Sequence, residues 1–244
     1  MSRYGSADVG FLLVSGLDVL GDITDLEDTR GAVLEETTVL GSAWEEHAYV
    51  GVKTYELTQQ GFYNDAAARS NAALVTPGSS KVLSFAPEGN TLGKKCISSP
   101  LVQVDYKRQI QRGALTKASA SYKSEGGHDE GIILHALGAE SGSSGNTQGA
   151  GSQDAGASSS AGGGGVLQVT ALTLGGYDNL VWKIQHSADD STYVDLITFT
   201  AVTAVGAERK TVTGTVNRHL ASAWAYGGSG TGQSNTAMVA FARG

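Results

Sequence analysis

The stretch VQVDYKRQIQRGALTKASASY, residues 102–122, decides the fold class of this chain. Every second residue from Val102 to Ile110 falls on one face of an extended segment, and the same alternation runs from Ala114 to Tyr122. A period of two is the pattern of a β-strand. The glycine at position 113 tolerates the backbone angles of a tight turn. We therefore predict two antiparallel strands joined as a hairpin.

The composition extends this prediction to the whole chain. The 244 residues include 34 glycines but only 3 prolines, and aromatic residues make up 7%. This balance suits many short strands linked by tight turns, so a mainly β protein is expected. Further strands before residue 140 are predicted at residues 9–14, 48–59, 81–86 and 131–137.

One helix interrupts these strands. Residues 65–75 are rich in alanine, which favours the interior of a helix. Asn64 or Asp65 is placed to cap the N-terminus, and Pro77 with Gly78 ends the pattern. We expect this helix to lie across a sheet face of a β-rich N-terminal unit.

Glycine, serine and alanine dominate residues 138–165, which contain almost no large apolar side chains. Such a segment cannot offset the entropy lost on ordering, so it is predicted to be a flexible linker. A phosphate-binding glycine loop is disfavoured because it needs a preceding strand, a following helix and a fixed spacing. The predicted organisation is an assembly domain at 1–140, a linker at 141–165 and a surface module at 166–244.

After the linker the pattern becomes a series of evenly spaced strands. They are predicted at residues 166–174, 180–186, 193–200, 210–216, 219–226 and 236–242. Turns rich in Gly, Asp, Asn and Ser separate several of them. This spacing predicts a small β-sandwich or jelly roll.

The formal net charge of -7 argues against a protein that binds nucleic acid through a basic surface. Residues 1–56 carry eleven acidic and three basic side chains, whereas residues 94–123 carry seven basic and one acidic. The two tracts either neutralise each other within one chain or face each other between copies. The candidate contacts for the second case are Glu35, Glu36, Glu45 and Glu46 against Lys94, Lys95, Lys107, Arg108 and Arg112.

The sequence offers little to catalysis. The five histidines are dispersed, and no pair has the i, i+4 spacing of a helical zinc site. Cys96 is the one thiol, and although Lys94 and Lys95 beside it favour a thiolate, a lone cysteine on a strand is more often buried. We expect no catalytic residue, no metal, no cofactor and no enzymatic activity.

Two groups in the C-terminal module each admit two interpretations. Asp178, Asp189 and Asp190 either hold a calcium ion or bond to the backbone of their own turns, and the second is favoured. Four aromatic residues either stack on a sugar or belong to the core, with the core favoured: Tyr177, Tyr193, Trp224 and Tyr226.

The stretch GVKTYELTQQGFYND, residues 51–65, resembles a pattern in the tail tube proteins, or major tail proteins, of long-tailed phages, in which a strand runs directly into a helix. Residues 85–89, 106–115 and 129–137 are similar to the same family. Residues 166–244 look like the C-terminal module of phage and prophage proteins from actinobacterial hosts. Their matching motifs are LTLGGY at 172–177, HSADD at 186–190 and VNR at 216–218.

This resemblance implies an N-terminal β-barrel or sandwich with a flanking helix, in a subunit that assembles as hexameric rings. Stacked rings would form a tail tube through which phage DNA passes without specific binding, and an acidic lumen suits that passage. The implied partners are further copies and other tail proteins, in a virion tail whose subunits are made in the host cytoplasm. No membrane contact is expected, since the apolar run at 11–14 is too short to span a bilayer.

An alternative function is a capsid decoration or tail-fibre protein that binds a cell-surface glycan through residues 166–244. It predicts that this half alone binds glycans and that the N-terminal half forms monomers or trimers. A hydrolase is disfavoured because the sequence shows no convergent acid, base or metal site.

Overall fold

A computed structural model describes residues 4–244, which form a mainly β structure. The elements of the first half are β1 (Leu12–Val14), β2 (Leu17–Asp18), β3 (Ile23–Glu36), β4 (His47–Phe62), α1 (Ser70–Leu74), β5 (Ser80–Phe85), β6 (Lys95–Gln109), β7 (Lys117–Ser124) and β8 (Asp129–Glu140). Those of the second half are β9 (Ser144–Asn146), β10 (Gln153–Asp154), β11 (Gly163–Thr173), β12 (Asn179–Ser187), β13 (Val194–Thr198), β14 (Gly206–Val212), β15 (His219–Gly227) and β16 (Ser234–Arg243). The predicted mainly β class is confirmed.

Strand β6 organises the first half of the chain. It pairs with β5 on one side and with β8 and β7 in succession on the other, and β7 continues the sheet into β4 and β3. The β3–β4–β7 layer packs on the β1–β5–β6 layer over an apolar core. Leu57, Tyr122, Leu74 and Leu101 are buried in that core. The β3–β4–β7 layer has one buried apolar face and packs on this core, whereas the β1–β5–β6 layer is also buried on its other face, with Leu13 and Cys96 in a separate apolar cluster.

The predicted hairpin of residues 102–122 is present as β6 and β7. On β7 the alternation is as expected, with Ala118, Ala120 and Tyr122 buried. On β6 a register shift between Gln103 and Asp105 interrupts it, so that Gln103 is buried and Val104 is exposed. A β-bulge changes which side chains face the core, and strict alternation does not reveal it.

The second half extends the same sheet. Its order β14-β11-β16-β8-β6-β5-β1-β2 joins β16 to β8, so backbone pairing is continuous across the predicted domain boundary. A second sheet, β10-β15-β12-β13 with β9 also on β15, covers the β11–β16 region. Trp182, Ile184, Trp224 and Phe241 lie between the two sheets in an apolar core. The division into units at 1–140 and 166–244 stays a prediction.

The helix is shorter than predicted, because α1 comprises only Ser70–Leu74. The buried carboxylate of Asp22 determines where it begins, since it accepts hydrogen bonds from the Ser70 backbone N–H at 3.1 Å and from Asn64 Nδ2 at 2.9 Å. Asn64 therefore does not cap a longer helix. Ala68 has a φ of 60°, which a right-handed helix excludes.

The segment 141–165 differs from the flexible linker that its composition predicts. Strands β9 and β10 pair with the edge of β15, and Thr147 bonds to Ser222 between them. A Cβ on Gly145 would lie 2.2 Å from the Trp224 ring, so glycine lets the backbone lie flat on the indole. The segment satisfies the backbone groups that a bare β15 edge would expose.

Gln168 on β11 ties the two halves together from a fully buried position. Its Oε1 accepts a hydrogen bond from the Gly16 N–H at 2.8 Å, and its Nε2 donates to the Val82 carbonyl and to Ser84 Oγ at 3.0 and 3.1 Å. All four residues lie where β11 passes over the β1–β2 turn and β5. A buried amide with its bonds satisfied fixes this arrangement more strictly than apolar contact alone.

We expect Gln168→Leu to lower the free energy of unfolding by about 2 kcal/mol, because it leaves the Gly16 N–H buried without an acceptor. Urea denaturation followed by tryptophan fluorescence measures the change. The matched control is Gln109→Leu at an exposed position of β6, which should stay within about 0.5 kcal/mol of the wild type. Equal effects of the two substitutions would contradict the role of Gln168.

Candidate assembly interface

The outer half of the β3–β4 hairpin, residues 31–53, projects from the body and is called the arm here. Strand β4 pairs with β7 only from Glu56 onward, so the arm is a two-stranded ribbon without a third strand. Every arm residue is exposed except the partly buried Ser42. Its strands extend roughly 20 Å at the usual rise per residue, before the terminal loop begins.

The arm carries large apolar side chains that none of residues 4–244 covers. Trp44 is 83% exposed, and Val33, Leu34, Val39, Leu40, Tyr49, Val50 and Val52 are also exposed. Contiguous exposed apolar side chains mark contact sites. An isolated two-stranded hairpin is marginally stable in water at best. The arm therefore has the properties of a surface that a partner completes.

All four acidic candidates lie at the arm tip. Glu35 and Glu36 end β3 opposite Ala48 and His47, and Glu45 and Glu46 occupy the loop. Glu46 donates its backbone N–H to Thr38 Oγ1 at 2.9 Å, which closes the loop. The tip thus combines negative charge with exposed tryptophan and leucine side chains.

Three of the five basic candidates lie at the other end of the same sheet. Lys107 and Arg108 are exposed near the end of β6, and Arg112 is exposed in the β6–β7 turn. Ile110 and Leu115 beside them are 82% and 70% exposed. The β6–β7 turn with Lys107, Arg108 and Lys117 is called the basic end. It combines positive charge with apolar side chains, as the arm tip does with negative charge.

Strand β4 separates the two surfaces. Its first residue, His47, pairs with Glu36 at the arm tip, and its last, Phe62, pairs with Lys117 at the basic end. Sixteen residues of strand span roughly 50 Å. One copy therefore cannot bring its own arm tip to its own basic end.

Ion pairs within the chain do not join the two candidate sets in the described residues. Lys107 pairs with Asp105 at 3.0 Å, and Glu45 contacts His47 at 3.5 Å. Between the acidic tract 1–56 and the basic tract 94–123, one described pair is formed, Lys123 with Glu56 at 3.2 Å. Neutralisation within the chain is limited to that pair, and contact between copies stays a prediction.

The remaining candidates, Lys94 and Lys95, lie elsewhere, at the beginning of β6. Lys94 Nζ lies 5.7 Å from the centre of the Tyr4 ring. Lys95 Nζ lies 2.5 Å from Glu130 Oε1, while Glu130 Oε2 accepts a hydrogen bond from Arg30 Nη1 at 2.9 Å. The structure thus divides the five basic residues between two regions.

Arg30, Lys95 and Glu130 hold the base of the arm together with Tyr55 and His128, and these five residues are called the latch. The rings of Tyr55 and His128 are stacked with centres 4.7 Å apart and planes 21° apart. Hydrogen bonds from Lys95 and Arg30 hold the pKa of Glu130 below its usual range. Burial, followed by the nearby Arg30 charge, lowers the pKa of His128. The latch is not predictable from local sequence patterns because its members are far apart in the chain.

The remaining residues considered for catalysis, calcium binding or sugar binding have structural roles. Cys96 is buried, and burial raises the pKa of its thiol. Asp189 accepts hydrogen bonds from the backbone N–H groups of Thr192 and Ser191, which confirms a turn residue and lowers its pKa. Trp224 and Tyr226 are buried, so the four aromatic residues do not form one exposed face.

Residues 4–244 contain no group of three or more His, Cys, Asp or Glu side chains arranged to hold a metal ion. The same residues include no helix that is long and apolar enough to cross a membrane.

No protein-family model and no curated protein sequence matches the chain. Among solved structures it is similar to a protein of the tail of an empty gene transfer agent particle, refined helically with C6 symmetry, at 15% identity and a TM-score of 0.40 over 52% of this chain and 98% of that one. A protein of the native gene transfer agent virion gives 16% identity and a TM-score of 0.38 over 53% and 98%. The Dit protein of phage SPP1, described as a hub of the adsorption apparatus of phages that infect Gram-positive bacteria, gives 8% and 0.37 over 96% and 98%. These TM-scores are too low to support an argument about function.

We expect acidification to weaken the latch through His128. Its pKa is lowered in the folded protein, so the unfolded chain binds the proton more readily. The neutral His128 ring therefore makes its full contribution to the free energy of unfolding above about pH 6.5, and this contribution is lost as the pH falls below that value. The charged groups around the ring are Arg30, Asp28, Asp129 and Glu130.

Urea midpoints at pH 7.5 and pH 5.5 measure this effect, and their difference should be smaller in His128→Asn than in the wild type. His47→Asn on the exposed arm is the control and should keep the wild-type difference. An unchanged difference in His128→Asn would show that His128 does not contribute.

Proposed function

We propose that the protein is a structural subunit of a phage tail tube, in which copies associate head to tail through the arm tip and the basic end. The observation that carries the proposal is the arm itself, an exposed ribbon with uncovered apolar side chains and an acidic tip. A surface of opposite charge and similar apolar character lies at the far end of β4. Contact between two different surfaces of one chain is heterologous, and it generates rings, stacks or filaments rather than closed dimers.

The solvent face of the β3–β4–β7 layer supports the role of a conduit lining. The cross-strand rows Asp25–Gln60–Ser119 and Glu27–Thr58–Ser121 place acidic, amide and hydroxyl groups side by side. The third row, Thr29–Glu56–Lys123, contains a lysine, but that lysine is paired with Glu56. Two further lysines belong to the same face, Lys107 opposite Ser119 and Lys117 opposite Phe62, and both lie at the basic end. The three rows between that end and the arm offer no unpaired lysine or arginine to phosphate, so DNA would slide past them without specific binding.

The remaining parts of the proposal follow the family resemblance of residues 51–65. Six copies would close each ring, rings would stack into the tube, and other tail proteins would bind at its two ends in the virion. Residues 1–140 would form the ring, and residues 166–244 would lie outward as a surface module. Because β16 pairs with β8, we expect this module to be fixed to the ring rather than to move on a linker.

A charge exchange tests the head-to-tail contact. The arm variant Glu45→Lys/Glu46→Lys and the end variant Lys107→Glu/Arg108→Glu should each block assembly, because like charges then meet at the contact. An equimolar mixture of the two variants should restore assemblies in which the variants alternate, because the arm tip of each variant then meets an end of opposite charge. One chain carrying all four changes should assemble like the wild type. Sedimentation velocity and negative-stain electron microscopy measure the assemblies.

Asp178→Lys, an exposed change in a turn remote from both surfaces, is the control and should assemble like the wild type. If the chain with all four substitutions stays monomeric while Asp178→Lys assembles, the arm tip and the basic end do not form the proposed contact. A wild-type protein that forms only monomers or trimers at high concentration would contradict the tail tube function and favour the decoration or fibre alternative.

A further inference from the structure

The two strands of the hairpin lose their regular pairing at one place, between the body and the outer arm. Ala32 is opposite Lys53, but the next paired residues are Leu34 and Tyr49, so one residue of β3 faces three of β4. A bulge of this kind interrupts the hydrogen-bond ladder and bends the strand. Residues 31–33 and 50–53 are called the pivot.

Glycine occupies both strands of the pivot for different reasons. Gly51 has a φ of 86°, and a Cβ there would meet nothing within 4 Å, so the requirement is the backbone conformation alone. A Cβ on Gly31 would lie 2.7 Å from Thr54 Oγ1, so glycine permits a close cross-strand approach. Neither residue contributes a side chain that would resist bending.

The latch lies immediately on the body side of the pivot. Arg30 precedes Gly31 and is bonded to Glu130, while Tyr55 is buried, stacks on His128 and is directly opposite Arg30 in the register. Glu130 is held in turn by Lys95 on β6. Both strands are therefore fixed to β6 and β8 next to the point at which their own pairing is weakest.

We propose that residues 34–49 swing as one ribbon about the pivot, and that the latch keeps this motion out of the body. A rigid arm could contact the next copy at one angle only. A pivoting arm can contact it over a range of angles, and the contact then holds the arm in one orientation. The pivot and latch are properties of a single copy, so they do not depend on the proposed tail tube function.

Distances between pairs of spin labels test this proposal on the full chain. Engineered cysteines are labelled selectively because the native Cys96 is buried. One pair joins the arm tip to the body through Ala48→Cys and Ser191→Cys, and the reference pair joins the body side of the latch to the same point through Thr29→Cys and Ser191→Cys. Dilute protein that sediments as a monomer is used. We expect the distance distribution of the 48–191 pair to be about twofold wider than that of the 29–191 pair.

Glu130→Gln tests the latch, because a neutral amide cannot pair with both Arg30 and Lys95. In this variant the 29–191 distribution should widen towards that of the 48–191 pair. Glu56→Gln, which alters an exposed acid outside the latch, is the matched control and should leave both distributions unchanged. Equal widths of the two pairs in the wild type would overturn the pivot. An unchanged 29–191 width in Glu130→Gln would overturn the role of the latch.

Discussion

A two-stranded ribbon has no second layer in which to bury its apolar side chains. The arm of this protein is such a ribbon. It extends beyond β7, and Trp44, Leu34 and several valines on it are in contact with water. In the proposed assembly, burying these side chains against another copy would stabilise the contact. The acidic tip and the distant basic end would then determine which contact is made, because opposite charges select orientation more than they add affinity.

The rest of the structure supports that arm. Strand β6 pairs with three other strands and brings the β7–β4–β3 layer into the same sheet as β8 and β16. The latch fixes the arm base to β6 and β8. Gln168 fixes the second half of the chain to the first from within the core. The base of the arm is thus joined to one continuous sheet.

Sequence patterns predicted most of the strands that have at least one buried face. Strands β4, β5, β7, β8, β11, β12, β13, β15 and β16 lie where the sequence pattern indicated them. Strand β14 begins four residues earlier than predicted. Strand β3 was not predicted, because its sequence is acidic, contains Gly31 and is exposed through most of its length. Only pairing with β4 makes it a strand, and pairing partners are not readable from local pattern.

The candidate contacts show the same division between local and distant information. Glu45 and Arg112 are both exposed at the ends of hairpins, and their contact between copies stays a prediction. The separation of Lys95 from Arg108 depends on the length of β6, and the role of Lys95 in the latch depends on Glu130 and Arg30. The composition of the segment 141–165 predicted a flexible linker, but glycine also permits close packing, as Gly145 does against Trp224.

If another copy covers the arm tip, the exposure of Trp44 reports on this contact directly. Trp182 and Trp224 are buried in the single copy, so Trp44 is the exposed tryptophan of the three. Acrylamide quenching of tryptophan fluorescence is measured across a concentration series, with sedimentation recorded in parallel. We expect the quenchable fraction of the fluorescence to fall as larger species appear. Assemblies in which Trp44 stays fully quenchable would contradict this expectation.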